Sequence, residues 1–353
     1  MPIDAKARAA LDRGLVIPAS PLALNSQRKL DERRQRALFR YYFAAGSGGI
    51  AIGVHMTQFA IRDPKYNLFK PILQITKEEL DRGDKQRNEP LVRISGITGK
   101  TDQAVKEAEL VRELGFHAGL LSLAMLKEFT EDELIEHCRR VADIIPIIGF
   151  YLNPNIGGRV LPYSFWRRFA EIENVVAIKV APFDRYRTND VVRAIVEAGR
   201  DDIALYTGND DTIISDFITP FRFKVNGKMV ERHIVGGLLG HWAVWTKRAV
   251  EHLALCHQAT KKGGSIAREL MELTVAVTDS NSAFFDATNS FHGCIPGLHE
   301  VLRRQGLLEG IWCLNPAEGL GVGQKEEIDR VYRDYPELND DAFVAEHRDE
   351  WLR

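Results

Sequence analysis

The chain has 353 residues, of which 45% are hydrophobic and 27% are charged, and its formal net charge at pH 7 is −2. This length is enough for one large core with an appendage or for two domains. Basic and acidic residues are interspersed, so no basic stripe indicates a nucleic-acid partner. The four cysteines are far apart and form no C-x-x-C pair, which favours a reduced, cytoplasmic protein without a zinc knuckle or a disulfide framework.

The N-terminal segment lacks the apolar stretch of a signal peptide. No apolar run approaches the roughly 18 residues that a membrane span needs. We therefore expect a protein that is neither exported by that route nor inserted into a membrane.

Apolar strands alternate with helices along residues 1–258. The predicted strands are 15–24, 48–54, 90–97, 117–123, 146–154, 175–181, 203–208 and 233–240. The predicted helices, one after each strand, are 31–45, a weak one around 77–82, 101–115, 130–145, 163–173, 188–199, 210–221 and 241–256. This makes eight strand-helix units.

The strands are apolar throughout rather than at every second residue, which indicates a parallel sheet covered by helices. Eight units, and the absence of G-x-G-x-x-G after the first strand, favour a closed α/β barrel, the (β/α)8 TIM barrel, over an open doubly wound sheet. Residues 259–353 are expected to form a C-terminal helical appendage. Residues 221–232 contain an Asn-Gly turn signal and predict a small hairpin inserted before the eighth strand.

A lysine interrupts the sixth strand. Lys179 lies within VVAIKVA, and a buried ammonium loses hydration worth several kcal/mol. Such a lysine is neutralised, paired, or placed where a depressed pKa serves chemistry. Tyr151 lies in the fifth strand, and a neutral amine beside a phenol suits carbonyl chemistry through an imine. The alternatives are a lysine paired with a buried carboxylate and a tyrosine that only packs.

Active sites of barrels lie at the carboxyl ends of the strands. Lys179 and Tyr151 are there on neighbouring strands, and Asn153 shares the face of Tyr151 by the period-two alternation. If Tyr151 faces the barrel interior, Asn153 does too. The other candidate binding residues at these ends are Gly53, Val54, His55, Met56, Thr57, Gly208, Gly237 and Leu238.

Several motifs resemble one enzyme superfamily. FYLNP at Tyr151, AIKVA at Lys179, their 28-residue separation and the following GND at 208–210 are similar to the dihydrodipicolinate synthase and N-acetylneuraminate lyase superfamily. IPASPLAL and GGIAIG resemble its opening, and GLHEVLRRQGLLEG at 297–310 resembles its C-terminal helices, so the likeness spans nearly the whole chain.

The resemblance implies a class I aldolase or lyase that needs no cofactor or metal. Lys179 would form a Schiff base with a 2-oxo acid, usually pyruvate, and Tyr151 would relay protons. The imine would then support carbon-carbon cleavage, condensation or dehydration. Backbone N–H groups near 53–56 would hold the substrate carboxylate. Members are commonly tetramers, so we expect a homo-oligomer, either a tetramer or a dimer.

The chain also departs from the family pattern. GVHMT at 53–57 replaces G-T-T-G-E, with His55 and Thr57 as the obvious substitutes for the missing threonines. Ile156 stands where synthases carry an arginine, and 124–126 (Ala-Met-Leu) replaces an aromatic pair. We therefore expect a divergent member that is not a lysine-pathway synthase, with a less charged or bulkier substrate half.

Three other functions remain open. A non-catalytic descendant that binds a 2-oxo acid is the main alternative. A phosphate site at 236–237 is the second, although packing explains the two glycines better. A metal site is the third, built from His55, His233, His241 and Asp210 or Asp211, but these residues lack close ligand spacing. In the C-terminal region, Ser280, Asn281, Asn289 and His292 are expected to cap helices rather than to reach the barrel mouth.

Overall fold

The computed structural model describes residues 2–353, apart from the side chain of Lys262. Its strands, in chain order, are β1 (Val16–Pro18), β2 (Gly49–Ile52), β3 (Val92–Ile97), β4 (Ala118–Leu121), β5 (Ile147–Leu152), β6 (Val175–Ala181), β7 (Ala204–Thr207), β8 (Phe221–Val225), β9 (Lys228–Arg232) and β10 (Gly236–Leu239). All strands except β8 and β9 belong to one eight-stranded sheet with the order β1-β10-β7-β6-β5-β4-β3-β2.

Every neighbouring pair in this sheet is parallel. Beyond the end of β1, a parallel bridge joins Ala19 to Ala51, and the amide of Ser20 donates to the Ala51 carbonyl at 2.9 Å. These contacts bring the two ends of the sheet together, so the sheet is a nearly closed barrel. The expected (β/α)8 TIM barrel is confirmed.

Helices surround the barrel and continue after its last strand. They are α1 (Ala5–Arg13), α2 (Glu32–Ala45), α3 (Phe69–Asp84), α4 (Thr101–Glu113), α5 (Glu131–Ala142), α6 (Tyr163–Phe169), α7 (Arg185–Ala198), α8 (Ile213–Ile218), α9 (Thr246–Lys262), α10 (Arg268–Phe284), α11 (Cys294–Arg304), α12 (Gln324–Asp334) and α13 (Asp341–Trp351). Of the helices described, none is long and apolar enough to cross a membrane.

Helix α9 spans Thr246–Lys262 instead of the expected 241–256, and helices α1 and α3 differ more fundamentally from the sequence-based expectation. The weak helix around residues 77–82 is the four-turn helix α3, whose start carries no capping hydrogen bond from the side chain of Leu68. Helix α1 was not anticipated, although Asp4 caps it by accepting from the amides of Lys6 and Ala7. The sequence thus offered no capping signal for the start of α3, whereas the capping signal for α1, Asp4, was present and was overlooked.

The hairpin and the C-terminal helices follow the predicted plan. Strands β8 and β9 pair antiparallel within residues 221–232, and the turn residue Asn226 has a φ of +49°. Helices α10 to α13 occupy the last part of the chain, while α9 runs across residue 258. The division into a barrel of residues 1–258 and a helical region of residues 259–353 stays a prediction.

Candidate active site

The sixth strand carries Lys179 into the barrel. In the register of β5 and β6, Lys179 pairs with Phe150, Val180 with Tyr151, and Ala181 with Leu152. Lys179 is 8% exposed, and its Nζ lies 4.6 Å from the centre of the Phe150 ring. The amine is thus at the carboxyl end of the barrel, in contact with an aromatic face rather than with a hydroxyl group.

Tyr151 faces the opposite side of its strand. Its hydroxyl accepts a hydrogen bond from the Leu161 amide at 3.2 Å, and its ring lies 5.4 Å from Trp166 on α6. Tyr151, which was expected to be a neighbour of Lys179 in the site, therefore does not share the cavity with it. The reason is the pleat of β5: Phe150 and Leu152 line the interior cavity, so the residue between them points to the helices.

Asn153 follows Tyr151 and is likewise absent from the cavity lining. Its Oδ1 accepts a hydrogen bond from the Asn155 amide at 2.9 Å, so this side chain caps the short turn after β5. The side chain of Asn153 therefore stabilises this turn and does not reach the cavity.

The cavity next to Lys179 has mainly apolar walls. They include Val54, Met56, Phe150, Leu152, Ile156, Phe183 and Phe285. Its ionisable lining residues are His55, Lys179, Asp210 and Cys294. A substrate here would meet one amine and one carboxyl group in surroundings that hold little water.

Burial brings the pKa values of Lys179 and Asp210 close to each other. Burial lowers the pKa of Lys179 to about 8, although the charge of Asp210 acts against this shift. Burial raises the pKa of Asp210 to about 7, opposed by the charge of Lys179 and by a hydrogen bond from the His241 amide. Among the described residues, no salt bridge of 4.0 Å or less involves Lys179. An uncharged amine is therefore accessible near neutral pH.

His55 and Thr57, both in the turn after β2, point to different surroundings. His55 lines the cavity, and burial together with the charge of Lys179 lowers its pKa to about 4, so its ring is neutral. Thr57 is fully buried, and its Oγ1 donates to the carbonyl of Ser20 at 2.8 Å. Of the two expected substitutes, His55 reaches the cavity and Thr57 holds the backbone.

Only some of the other expected binding residues line the cavity. Gly208 lines the cavity beside Lys179, as do Val54 and Met56. Gly53 instead has a φ of +69°, and its carbonyl accepts from Arg62 at 3.0 Å. Gly237 and Leu238 are not among the lining residues.

Packing accounts for the glycine pair that suggested a phosphate site. A Cβ on Gly236 would lie 2.6 Å from the amide nitrogen of Leu15, and one on Gly237 would lie 2.5 Å from the ring of Trp242. The suggested metal site is not assembled: His55 and Asp210 both line the cavity, but His233 follows the hairpin and its Nε2 lies 3.0 Å from Glu231. Among the described residues, no group of three or more His, Cys, Asp or Glu side chains is placed to hold a metal ion.

The C-terminal region completes the cavity. Phe285 and Cys294, at the end of α10 and the start of α11, line its wall. Asn281 on α10 donates from Nδ2 to Nδ1 of His241 at 3.2 Å. The expectation that Asn281 caps a helix is wrong, since it anchors the segment after β10 instead.

Sequence reasoning missed Phe150, Phe285 and Cys294, and it gave Asp210 a chemical role only in the alternative metal site. For Phe150 the available signal was its position one residue before Tyr151, on the other face of the strand. Phe285 and Cys294 carried no comparable signal, because the path of the C-terminal helices decides where they lie.

Comparison with known proteins adds the family. Residues 14–219 match the model of the Dihydrodipicolinate synthetase family, which is more than half of the chain. The chain belongs to this family.

Curated relatives of the chain have low identity. The chain is 24% identical over 186 residues to the 4-hydroxy-tetrahydrodipicolinate synthase of Thermodesulfovibrio yellowstonii, which covers 52% of this chain and 60% of the relative. It is 27% identical over 186 residues to the synthase of the same name from Thiobacillus denitrificans, covering 51% and 57%. The chain thus spans about 60% of the length of these relatives.

Solved structures match over most of the fold. Dihydrodipicolinate synthase from Aquifex aeolicus has a TM-score of 0.72 at 16% identity, covering 93% of this chain and 99% of that one. N-acetylneuraminate lyase from Fusobacterium nucleatum has a TM-score of 0.69 at 15% identity, covering 92% and 99%. At such identities the structures support the shared barrel and C-terminal helices alone.

Proposed function

We propose that this protein is a class I aldolase-type lyase in which Lys179 forms an imine with a pyruvate-like 2-oxo acid. The observation that carries this proposal is a buried lysine at the carboxyl end of β6, whose pKa is lowered to about 8 and which forms no close ion pair within the described part of the chain. Membership of the Dihydrodipicolinate synthetase family supports the same reaction class.

The amine would attack the carbonyl carbon of the 2-oxo acid and lose water to give an iminium ion. The iminium withdraws electrons from the neighbouring carbon and stabilises a carbanion at C3. Cleavage or formation of a carbon-carbon bond, or loss of a leaving hydroxyl, becomes possible from this state.

The turn after β2 is suited to the substrate carboxylate. His55–Thr57 form one turn of 3-10 helix, whose first N–H groups have no acceptor within the turn. The neutral ring of His55 adds a polar group at the cavity wall. We infer that the carboxylate binds here, next to Lys179.

The apolar lining of the cavity favours an apolar substrate half. Ile156, Phe183 and Phe285 belong to this lining, and Arg159 is held elsewhere because its Nη1 donates to the carbonyl of Phe129 at 3.1 Å. A second carboxylate would lack a cationic partner and would cost several kcal/mol to bury. Efficient condensation with aspartate semialdehyde in a steady-state assay would contradict this preference.

One observation favours a second candidate, a non-catalytic protein that binds 2-oxo acids. Phe150 occupies the position beside Lys179 where a hydroxyl could have moved protons. Imine formation without turnover would fit that alternative. Assembly as a dimer or tetramer stays a prediction in either case.

Reduction with sodium borohydride tests the proposal. Wild-type protein incubated with pyruvate, or with 2-oxo acids of larger apolar side chains, is expected to gain a covalent adduct on the peptide that contains Lys179. Lys179→Met should abolish the adduct, whereas Lys228→Met, at an exposed hairpin lysine, should retain it. No adduct with any oxo acid would overturn the proposal, and an adduct without turnover would favour the binding protein.

A further inference from the structure

We propose that Asp210 is the proton carrier for imine formation at Lys179, and that Asn281 positions Asp210 through His241. This inference rests on the proposed imine chemistry and assigns its acid-base residue. It also makes α10, in the C-terminal region, part of the catalytic apparatus.

The cavity offers few groups that can carry a proton. Phe150 has no exchangeable proton, and Tyr151 lies on the other side of the strand. The thiol of Cys294 is held protonated, because burial raises its pKa well above the ordinary value. His55 is held neutral by burial and is a weak base, with a pKa of about 4. Asp210 combines a place in the cavity lining with a proton affinity suited to both taking up and releasing a proton near neutral pH.

The proton count balances if Lys179 and Asp210 share one exchangeable proton at the start of the reaction. The reaction begins with a neutral amine and a protonated carboxyl group. The nitrogen attacks the carbonyl carbon, a C–N bond forms, and the carbonyl electron pair moves to oxygen, which takes the proton of Asp210. The carboxylate then takes a proton from the positively charged nitrogen, which completes a neutral carbinolamine.

In the second half, protonated Asp210 donates to the hydroxyl of the carbinolamine. The C–O bond breaks, water leaves, and the nitrogen lone pair forms the C=N bond. The products are an iminium cation, a carboxylate and one water, so the total charge is unchanged. No oxidant, reductant or metal enters the sequence.

Asp210 is held by a short chain of contacts that leads to α10. The amide of His241 donates to Oδ1 of Asp210 at 3.3 Å, and Nδ2 of Asn281 lies 3.2 Å from Nδ1 of His241. The His241 ring also stacks on Phe284, with 5.7 Å between ring centres. His241 and Asn281 are both buried, so α10 fixes the backbone group that orients the carboxyl.

An electrostatic role and a proton-carrying role predict opposite effects of Asp210→Asn. The charge of Asp210 favours the protonated lysine, so its removal raises the fraction of neutral amine. If Asp210 acted through its charge alone, the variant would form the imine faster at neutral pH. If Asp210 carries the proton, the variant is slower despite its more nucleophilic lysine.

The rate of borohydride-trapped adduct formation on Lys179, measured with pyruvate after rapid mixing, separates these cases. We expect Asp210→Asn to slow trapping by about 100-fold or more. Asp202→Asn is the control, since this exposed carboxyl pairs with Arg200 and does not line the cavity, and it should stay within about twofold of the wild type. Unchanged or faster trapping in Asp210→Asn overturns the inference while leaving imine chemistry intact. No adduct in the wild type overturns both proposals.

The wild-type pH profile provides a test that needs no variant. With pKa values of about 8 for Lys179 and about 7 for Asp210, the singly protonated pair is most populated between these values, so the trapping rate should pass through a maximum there. A rate that rises to an alkaline plateau overturns the inference, because it requires only a neutral amine.

Two further variants test the geometry. Phe150→Tyr places a phenol beside Lys179 and should recover part of the lost rate in the Asp210→Asn background, whereas no recovery argues against proton transfer as the missing step.

Asn281→Ala tests the positioning role. It should move the acidic limb of the pH profile, the side on which the trapping rate rises with pH, to higher pH, because a loosened His241 amide stabilises the carboxylate of Asp210 less. Asn289→Ala, which removes an asparagine that donates to Asp286 and is not part of this chain of contacts, should leave the limb in place. An unmoved limb in Asn281→Ala would overturn the positioning role.

Discussion

Gly208 packs directly against the side chain of Lys179. A methyl group on Gly208 would overlap Cε of the lysine and would lie 2.8 Å from Cβ of Ala181. The amine of Lys179 therefore owes its position to the absence of a side chain on the neighbouring strand end. This contact also explains why a glycine opens the GND segment at residues 208–210.

Gly208→Ala should displace the lysine. Because Ala181 belongs to a strand and cannot yield easily, we expect Lys179 to leave its present rotamer, with at least a tenfold drop in borohydride-trapped adduct and a loss of about 1–3 kcal/mol in the free energy of unfolding. Gly319→Ala is the control, since a Cβ there has no neighbour within 4 Å. Adduct formation at the wild-type rate in Gly208→Ala would contradict this account of the lysine position.

Tyr151→Phe should leave the chemistry unaffected. The hydroxyl of Tyr151 accepts from the Leu161 amide on the helix side of β5, so its removal should cost about 1 kcal/mol of stability. The rate of adduct formation on Lys179 should stay within about twofold of the wild type. Tyr206→Phe serves as a comparison, since this tyrosine also lies in a barrel strand and bonds a backbone group, the carbonyl of Leu11. A loss of 100-fold in Tyr151→Phe would restore the tyrosine to the mechanism.

Tyr151 also illustrates the limit of sequence-based prediction. Strand β5 was found because its residues are apolar throughout, and every residue from Ile147 to Leu152 is indeed buried. A strand buried on both faces carries no hydrophobic alternation, so the pattern does not specify which residues point inward. Phe150 and Tyr151 are adjacent aromatic residues of similar size, and the choice between them is made by the pleat.

Lys179 was predictable for the complementary reason. A charge inside an apolar strand needs a special environment, and this holds whichever neighbours surround it. The contributions of Phe285, Cys294 and Asn281 were not predictable, because they depend on how α10 and α11 pack against the barrel. Local patterns established the barrel and the lining residues Val54, His55, Met56 and Gly208, whereas tertiary packing added Phe285 and Cys294.

Arg62 is expected to stabilise the turn that carries His55. Its Nε donates to Oε1 of Glu107 at 2.9 Å, and its other nitrogens donate to the carbonyls of Gly53 and Gly96 at 3.0 and 2.9 Å. The ion pair is buried, so Arg62→Met should leave a carboxylate without its cation and cost about 3 kcal/mol of unfolding free energy.

A denaturant titration of Arg62→Met measures this cost. Arg268→Met removes one partner of an exposed ion pair with Glu272 and should leave the unfolding midpoint close to that of the wild type. Equal midpoints for both variants would show that the Arg62 contacts add little to stability.

His137 should make stability depend on pH. Burial lowers its pKa to about 4, while Nδ1 lies 3.0 Å from Oγ1 of Thr101 and Nε2 has no hydrogen-bond partner among the residues that the structure describes. Below pH 6.5 the unfolded chain binds a proton on this residue that the folded protein does not. The neutral His137 ring therefore costs no stability above pH 6.5. As the pH falls below 6.5 the free energy of unfolding decreases, and this decrease levels off below pH 4.

The linkage amounts to about 1.4 kcal/mol per pH unit between these limits, or about 3 kcal/mol in total. His137→Gln removes the titrating ring, and a glutamine amide can still bond Thr101. We expect urea unfolding of this variant to lose less free energy between pH 6.5 and pH 4.5 than the wild type does, by about 2–3 kcal/mol. His292→Gln, at an exposed position, should follow the wild-type pH dependence. Parallel pH curves for the wild type and His137→Gln would mean that the folded protein accommodates a charged imidazole at this position.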